Sequence, residues 1–357
     1  MTHKSRVYFI PASETDKLAL ISQKLNRLLM ESGILSCLRG KLEVIFKLHF
    51  GEEGNTGFVR PQYVGVIAAA AVNLGAKVFL ADTNTLYRGK RLNCRDHLKL
   101  AAKHGFTKKN THAQLIIPDD RQEAETVRVK IGRKFIQEAK IARIFIEAPA
   151  LIAVSHFKGH ILTGFGGALK NIGMGCATRA GKLAQHCNSA PVVHLEKCVG
   201  CKKCIAVCPA DAISLEHKKA VVDTSRCIGC ATCLAACPTM AMFIDFNAGS
   251  AVQFKMAEYC LAVLQNKPGG YGFINFATRI NQECDCWGAH NPRIAPDLGI
   301  LASFDPVSID QASLDLINQS CGKDIFKQTH PQQDGCEQLR YAEEIGLGTR
   351  DYELIKL

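Results

Sequence analysis

Residues 198–209 read CVGCKKCIAVCP and residues 227–238 read CIGCATCLAACP, so the pattern CxxCxxCxxxCP occurs twice at an offset of 29 residues. Three thiolates at this spacing can wrap three corners of an iron–sulfur cube, while the fourth is carried off by a short helical turn and ligates the other cube. The spacing therefore predicts two [4Fe-4S] clusters with crossed ligand sets. Cys198, Cys201, Cys204 and Cys237 hold the first; Cys227, Cys230, Cys233 and Cys208 hold the second. Zinc is the weaker reading, because zinc ribbons use paired CxxC knuckles without a third cysteine or a trailing CP. Gly200, Gly229 and Ala231 leave backbone amides free to approach sulfur, and AISLEHKKAVVD between the repeats reads as two short strands joined by a polar turn. Two adjacent cubes make a wire, with electrons entering at one and leaving at the other.

Nine cysteines lie outside this block, and most, such as Cys37, Cys260 and Cys321, sit in apolar helical patterns where cysteine is an ordinary small core residue. The stretch NQECDCWG at 281–288 differs. Cys284 and Cys286 flank Asp285 beside the only tryptophan, in a polar loop where a period-two backbone points both thiols the same way. Three readings stand: ligands for a metal or third cluster together with Cys176, a redox dithiol at a catalytic site, or two incidental loop cysteines.

SHFKGHILTGFGGALKNIGMGCATRAGK at 155–182 carries seven glycines. A strand, a glycine-rich loop at Gly166 and Gly167, and then a helix is a common way to present amides to an anion, with Lys170 or Arg179 completing a phosphate or carboxylate site. The stretch is neither a phosphate loop nor a dinucleotide fingerprint, and a tight connection is its plainer reading. His49, His156 and His160 each fall near a strand end. In open α/β sheets ligands sit beyond the carboxyl ends of strands, which is where residues 47–54, 82–84 and 155–160 would converge on one cleft.

The elements that must position these residues follow an α/β rhythm. VYFI at 7–10, LEVIFKLHF at 42–50, KVFLAD at 77–82 and ALIAVSHF at 150–157 read as strands. Between them lie a helix with Leu18, Ile21, Leu25, Leu28 and Leu29 on one face, an alanine-rich helix over 62–75, and a basic helix near 94–104. The rhythm resumes after 246 with YGFINFAT at 271–278 and GILASF at 299–304, then a helix capped by Asp305 with Pro306 at its first position. The expected architecture is a mostly parallel, helix-covered sheet in a discontinuous α/β host, residues 1–188 and 247–357, interrupted by an α+β two-cluster module at 189–246.

Length and composition agree with this plan. A chain of 357 residues fits two domains, or one carrying an insertion. Its opening residues have no uninterrupted apolar core or small-residue cleavage site, and no segment reaches the length of a membrane span. The 17 cysteines suit a metal-binding intracellular chain better than a secreted disulfide scaffold, so a cytoplasmic location is expected. The net charge of +11 is concentrated in residues 88–109, where eight lysines and arginines face one aspartate. That segment has no aromatic interleaving for base stacking, so a solvated helix face is favoured over nucleic-acid binding.

The cysteine block resembles the bacterial two-cluster ferredoxin over about 50 residues. The wider combination resembles the DUF362 family of iron–sulfur proteins: KLHFGEEGNTGFVRP at 47–61, ADTNTLYRGKR at 81–91, the glycine-rich stretch, the cysteine block, ECDCW and ILASFDPVSIDQA. That resemblance implies an anaerobe-style, ferredoxin-containing cytoplasmic protein and supplies no catalytic residues. Two functions are therefore expected to compete. One is a ferredoxin-coupled oxidoreductase acting on a small anionic substrate. The other is a non-catalytic electron-transfer or cluster-handling protein that docks a redox partner. No flavin, nicotinamide or radical-type CxxxCxxC signature names a reaction.

Overall fold

Eight segments rich in β-branched, aromatic and alanine residues pair into a single sheet: β1 (Ser5–Pro11), β2 (Glu43–Lys47), β3 (Lys77–Ala81), β4 (Gln114–Ile116), β5 (Leu151–His156), β6 (Tyr271–Ala277), β7 (Gly299–Ser303) and β8 (Tyr352–Lys356). The computed structural model describes residues 4–87, 89–118, 125–186, 190–243, 251–288 and 291–357. Arg88 and the expected junctions at 188–189 and 246–247 lie outside the described residues. The strand order is β8-β1-β7-β6-β5-β2-β3-β4. Every pairing is parallel except those of β7, which runs antiparallel to both β1 and β6.

Alternation on the strands feeds two cores, one on each face. On β5, Leu151 and Ala153 enter one core, and Ile152 and Val154 enter the other. Helices α1 (Leu18–Ser32) and α2 (Pro61–Asn73) cover the second face. The first face is covered by α4 (Ala168–Gly173), α6 (Val252–Leu264) and α7 (Pro306–Cys321). A basic helix, α3 (Cys94–Lys103), is capped by Asn93, whose side chain accepts from the Asp96 amide. In α1 the expected stripe buries Ile21, Leu25, Leu28 and Leu29, but Leu18, in the first turn, stays 48% exposed. Asp305 caps α7 as its sequence implies, accepting from the Val307 and Ser308 amides at 2.8 and 2.9 Å.

Strands β1–β5 precede the cysteine block and β6–β8 follow it, yet β6 lies directly against β5 in register Tyr271↔Leu151 to Phe276↔His156. Neither flank closes the sheet alone. Between them, residues 190–243 form a small unit with its own apolar core. It holds a hairpin of Ile213–Glu216 with Lys219–Val222, a pairing of Val192–Val193 with Met242–Phe243, and short helices Lys203–Ala206 and Thr232–Ala236. Among the described residues no helix is long and apolar enough to cross a membrane.

Candidate functional site

The carboxyl ends of β2, β3 and β5 converge on a cavity of about 360 Å³. Lys47 ends β2, Asp82 follows β3, and His156 ends β5; all three line the cavity, with His49, Lys158 and His160 from the segments just beyond. This is the edge at which an open α/β sheet leaves a crevice. Tyr87, Ile161 and Trp287, respectively 39%, 55% and 49% exposed, are also part of its lining and give it a largely apolar mouth.

Among the charged side chains of the wall, cations outnumber carboxylates. Lys47 Nζ donates to Asp82 Oδ1 and Asn171 Oδ1, both at 2.9 Å, and Arg91 reaches Asp82 and Glu52 at 3.4 Å. Burial by itself would raise the Asp82 carboxyl, but Lys47, His97, Arg91 and Lys182 together bring it down to about 2. Lys182, from helix α5 (Arg179–His186), donates to the Thr83 hydroxyl and the Asn84 carbonyl. Lys158 donates to the His156 carbonyl at 2.7 Å. Lys170 Nζ, by contrast, makes no hydrogen bond or ion pair with any described residue, and burial, reinforced by neighbouring Lys158, lowers its pKa to about 7. Against five cations the lining sets two carboxylates, Asp82 and Glu283. Gly175 lets Lys47 through: a Cβ there would stand 2.6 Å from Lys47 Cε. Such a chamber suits a small anion.

Cys284 and Cys286 form part of the same wall, joined to each other as a disulfide across Asp285. Asp285 is fully buried, and its Oδ1 lies 2.8 Å from His156 Nδ1. His156 Nε2 faces the Arg279 carbonyl at 3.1 Å, so both ring nitrogens lie against oxygen atoms. Burial raises the Asp285 pKa, but His156 and Lys158 outweigh it and the carboxyl is lowered overall. The loop is further tied by the Glu52 amide donating to the Asp285 carbonyl and the Trp287 amide to the Cys284 carbonyl, both at 2.9 Å.

Two smaller cavities lie in residues 190–243. One is lined by Cys198, Cys201, Cys204 and Cys237, the other by Cys208, Cys227, Cys230 and Cys233. Amides already point at their sulfurs: Ala220 to Cys198 at 3.4 Å, Ala212 to Cys208 at 3.3 Å and Met242 to Cys237 at 3.5 Å. Gly200 and Gly229 take φ of +65° and +67° in the two CxxC turns, the left-handed region glycine favours. Among the described residues no group of three or more His, Cys, Asp or Glu is arranged to hold a single metal ion. Helix α5 links the two regions. Its Lys182 and His186 line the large cavity, while its Leu183 packs into the apolar core of the cysteine unit, beside Gly229.

A family model described as "Domain of unknown function (DUF362)" matches residues 44–315. The chain belongs to the DUF362 family. Among curated proteins none matches this DUF362 chain. Of solved structures, it is similar to the lactate racemase apoprotein from Thermoanaerobacterium thermosaccharolyticum, at 14% identity and a TM-score of 0.41, over 76% of this chain and 50% of that one. A Thermotoga maritima structural-genomics protein is similar at 11% identity and a TM-score of 0.42, over 85% of this chain and 59% of that one. The DUF362 chain thus spans between half and three-fifths of those two chains.

The DUF362 chain brings some of the expected site residues together and separates others. Cys284, Cys286, Lys170, His49, His156 and His160 share the large cavity. Cys176 does not join them: it is buried in the apolar core under the sheet, where burial raises its thiol to about 12, and it is no partner for the Cys284–Cys286 pair. Arg179 is buried and donates to the Leu92 carbonyl at 2.9 Å, outside the cavity lining. The amides that follow Gly166 and Gly167 are not offered to the cavity either. Those of Ala168 and Leu169 donate to Asp310 at 2.7 and 3.0 Å, so an internal carboxylate takes the place expected for an external anion. Burial brings that carboxyl up to about 6 against the hydrogen bonds of Asn275 and the two amides. Sequence reasoning missed Arg91, Lys182, His186 and Glu283 as lining residues, whereas Lys158 falls in the 155–160 segment expected at the cleft. Arg91 was grouped with the solvated basic segment, whose Arg95, Lys99, Lys103, Lys108 and Lys109 are indeed exposed.

Proposed function

We propose that this protein is an iron–sulfur oxidoreductase that carries two [4Fe-4S] clusters in a ferredoxin-type insertion and acts on a small anionic substrate in the cationic cavity. The carrying observation is that each small cavity gathers one crossed set of four cysteines, three from one repeat and the fourth from the other. A cube spreads its four thiolates more widely than a single ion does, which agrees with cysteine-lined hollows that lack a mononuclear geometry. The amide–sulfur contacts and the glycine turns fit a sulfur-rich guest. When bound, such clusters supply one-electron transfer.

The rest is the work of this chain's own side chains. Lys170, unpaired at the wall, offers its charge to an anion, while Lys47, Lys158, Lys182 and Arg91 hold the surrounding field positive. Through α5, whose Leu183 packs beside Gly229 of the second cysteine set, the cysteine unit is linked to that chamber. The first set is flanked by exposed Lys197, Lys202, Lys203 and Lys218, with Val199 66% and Leu195 57% exposed, a face suited to an acidic redox partner protein. A purely electron-carrying role would leave the lysine-lined chamber without a use.

Anaerobic purification with iron, sulfide and zinc counting tests this. About eight irons per chain are expected, falling to about four in Cys204→Ser or Cys233→Ser. Stoichiometric zinc without sulfide would overturn it, and about twelve irons would point to a third cluster at Cys284 and Cys286.

A further inference from the structure

We infer that the Cys284–Cys286 disulfide is a two-electron redox couple working inside the anion cavity. The inference rests on the oxidoreductase reading above and assigns its reacting group. The eight cysteines of the two repeats carry no disulfide, nor do the core cysteines Cys37, Cys176 and Cys260, so the bond belongs to this loop rather than to a wider disulfide framework. It is poorly explained as a staple. A link between residues two apart removes little freedom from the unfolded chain, and the loop is already held by Asp285 against His156 and by the backbone bonds to Glu52 and Trp287.

What the pair does have is access to the chamber: both cysteines line it, together with Lys158 and Lys170. Opening the bond consumes two electrons and two protons and yields two thiols. Nearby lysine charge favours the thiolate form, which is the nucleophile in thiol exchange. The reverse step passes two electrons and two protons to a bound anion with a bond that they can cleave or saturate, and the S–S bond re-forms. Two one-electron sites supply the two electrons that one disulfide needs, so the stoichiometry of the cysteine repeats matches that of the couple. The ultimate reductant is a low-potential one-electron donor.

The test uses the iron-loaded full chain. Trypsin releases residues 280–293, between Arg279 and Arg293, as one peptide holding Cys284 and Cys286 and no other cysteine. Anaerobic protein is treated with titanium(III) citrate, quenched in acid, alkylated with iodoacetamide and digested, and tags on that peptide are counted by mass. No tags before reduction and two after it are expected. In Cys233→Ser the tagging rate falls at least tenfold, while dithiothreitol still opens the bond. If the iron chromophore is reduced and the peptide remains untagged, the couple is overturned and the reading of the cysteine cavities stands. Two tags before any reduction also overturn it. A protein that takes up no iron removes both.

Discussion

Lys170 is a cation without a partner, and that carries a pH dependence. Its folded-state pKa, near 7, lies below the unfolded lysine value of about 10.4. Folding therefore meets a cost that is full below about pH 7 and is relieved as pH rises from about 7 towards 10. Lys170→Met should stabilise the ligand-free protein at pH 6 by on the order of 1 kcal/mol, with little effect at pH 10, as read from urea melts. The same change should weaken inorganic phosphate, used as an anion probe, about tenfold at pH 6, because it removes one charge-assisted contact. Calorimetry returning equal phosphate affinity for both proteins would show that Lys170 does not face the ligand. Single residues were legible where a strand pattern ended: Lys47, Asp82 and His156 follow apolar runs and point into the crevice. Arg91 was not, because nothing in a basic stretch says which cation turns inward; Asp82 at the end of β3 and Glu52 beyond the end of β2 select it.

At the level of elements, α5 is the contact between chamber and cysteine unit. Leu183 is 2% exposed and belongs to the unit's core along with Leu86, the other host residue there. Leu183→Ala should cost about 2–5 kcal/mol at that junction. The expected signature is local. Iron loss to a chelator should accelerate at least tenfold, while the main sheet melts at a nearly unchanged temperature, followed by circular dichroism. A single transition lost early as a whole would mean that the two regions are not separable. The elements themselves were readable: the cap at Asp305 and Pro306, the apolar strands and the period of α1 were all plain. The reversal of β7 was not, since an apolar pentapeptide such as GILAS carries no record of its direction. Nor did the loop at Gly166 and Gly167 reveal that Asp310, far along the chain, would occupy its amides.

For the whole molecule, the proposed function makes the lysines around the first cysteine set the place where an acidic carrier would arrive. Lys202→Glu with Lys203→Glu and Lys218→Glu should slow reduction by an acidic one-electron carrier at least tenfold at low ionic strength, and added salt should narrow the gap. Stopped-flow rates that ignore these charges would move the docking face elsewhere. The strand order also governs how the chain is assembled. β1 is held between β7 and β8, which are translated after every one of the eight matched cysteines has emerged, and β5 waits for β6 in the same way. The host sheet is a high-contact-order structure whose closure comes late, whereas the cysteine unit is built from near neighbours in the chain. On the proposed function, cluster insertion can therefore precede completion of the sheet during synthesis. On that same proposal, iron starvation would leave the cysteine unit unfilled at the moment β6, β7 and β8 try to pair with strands made before it.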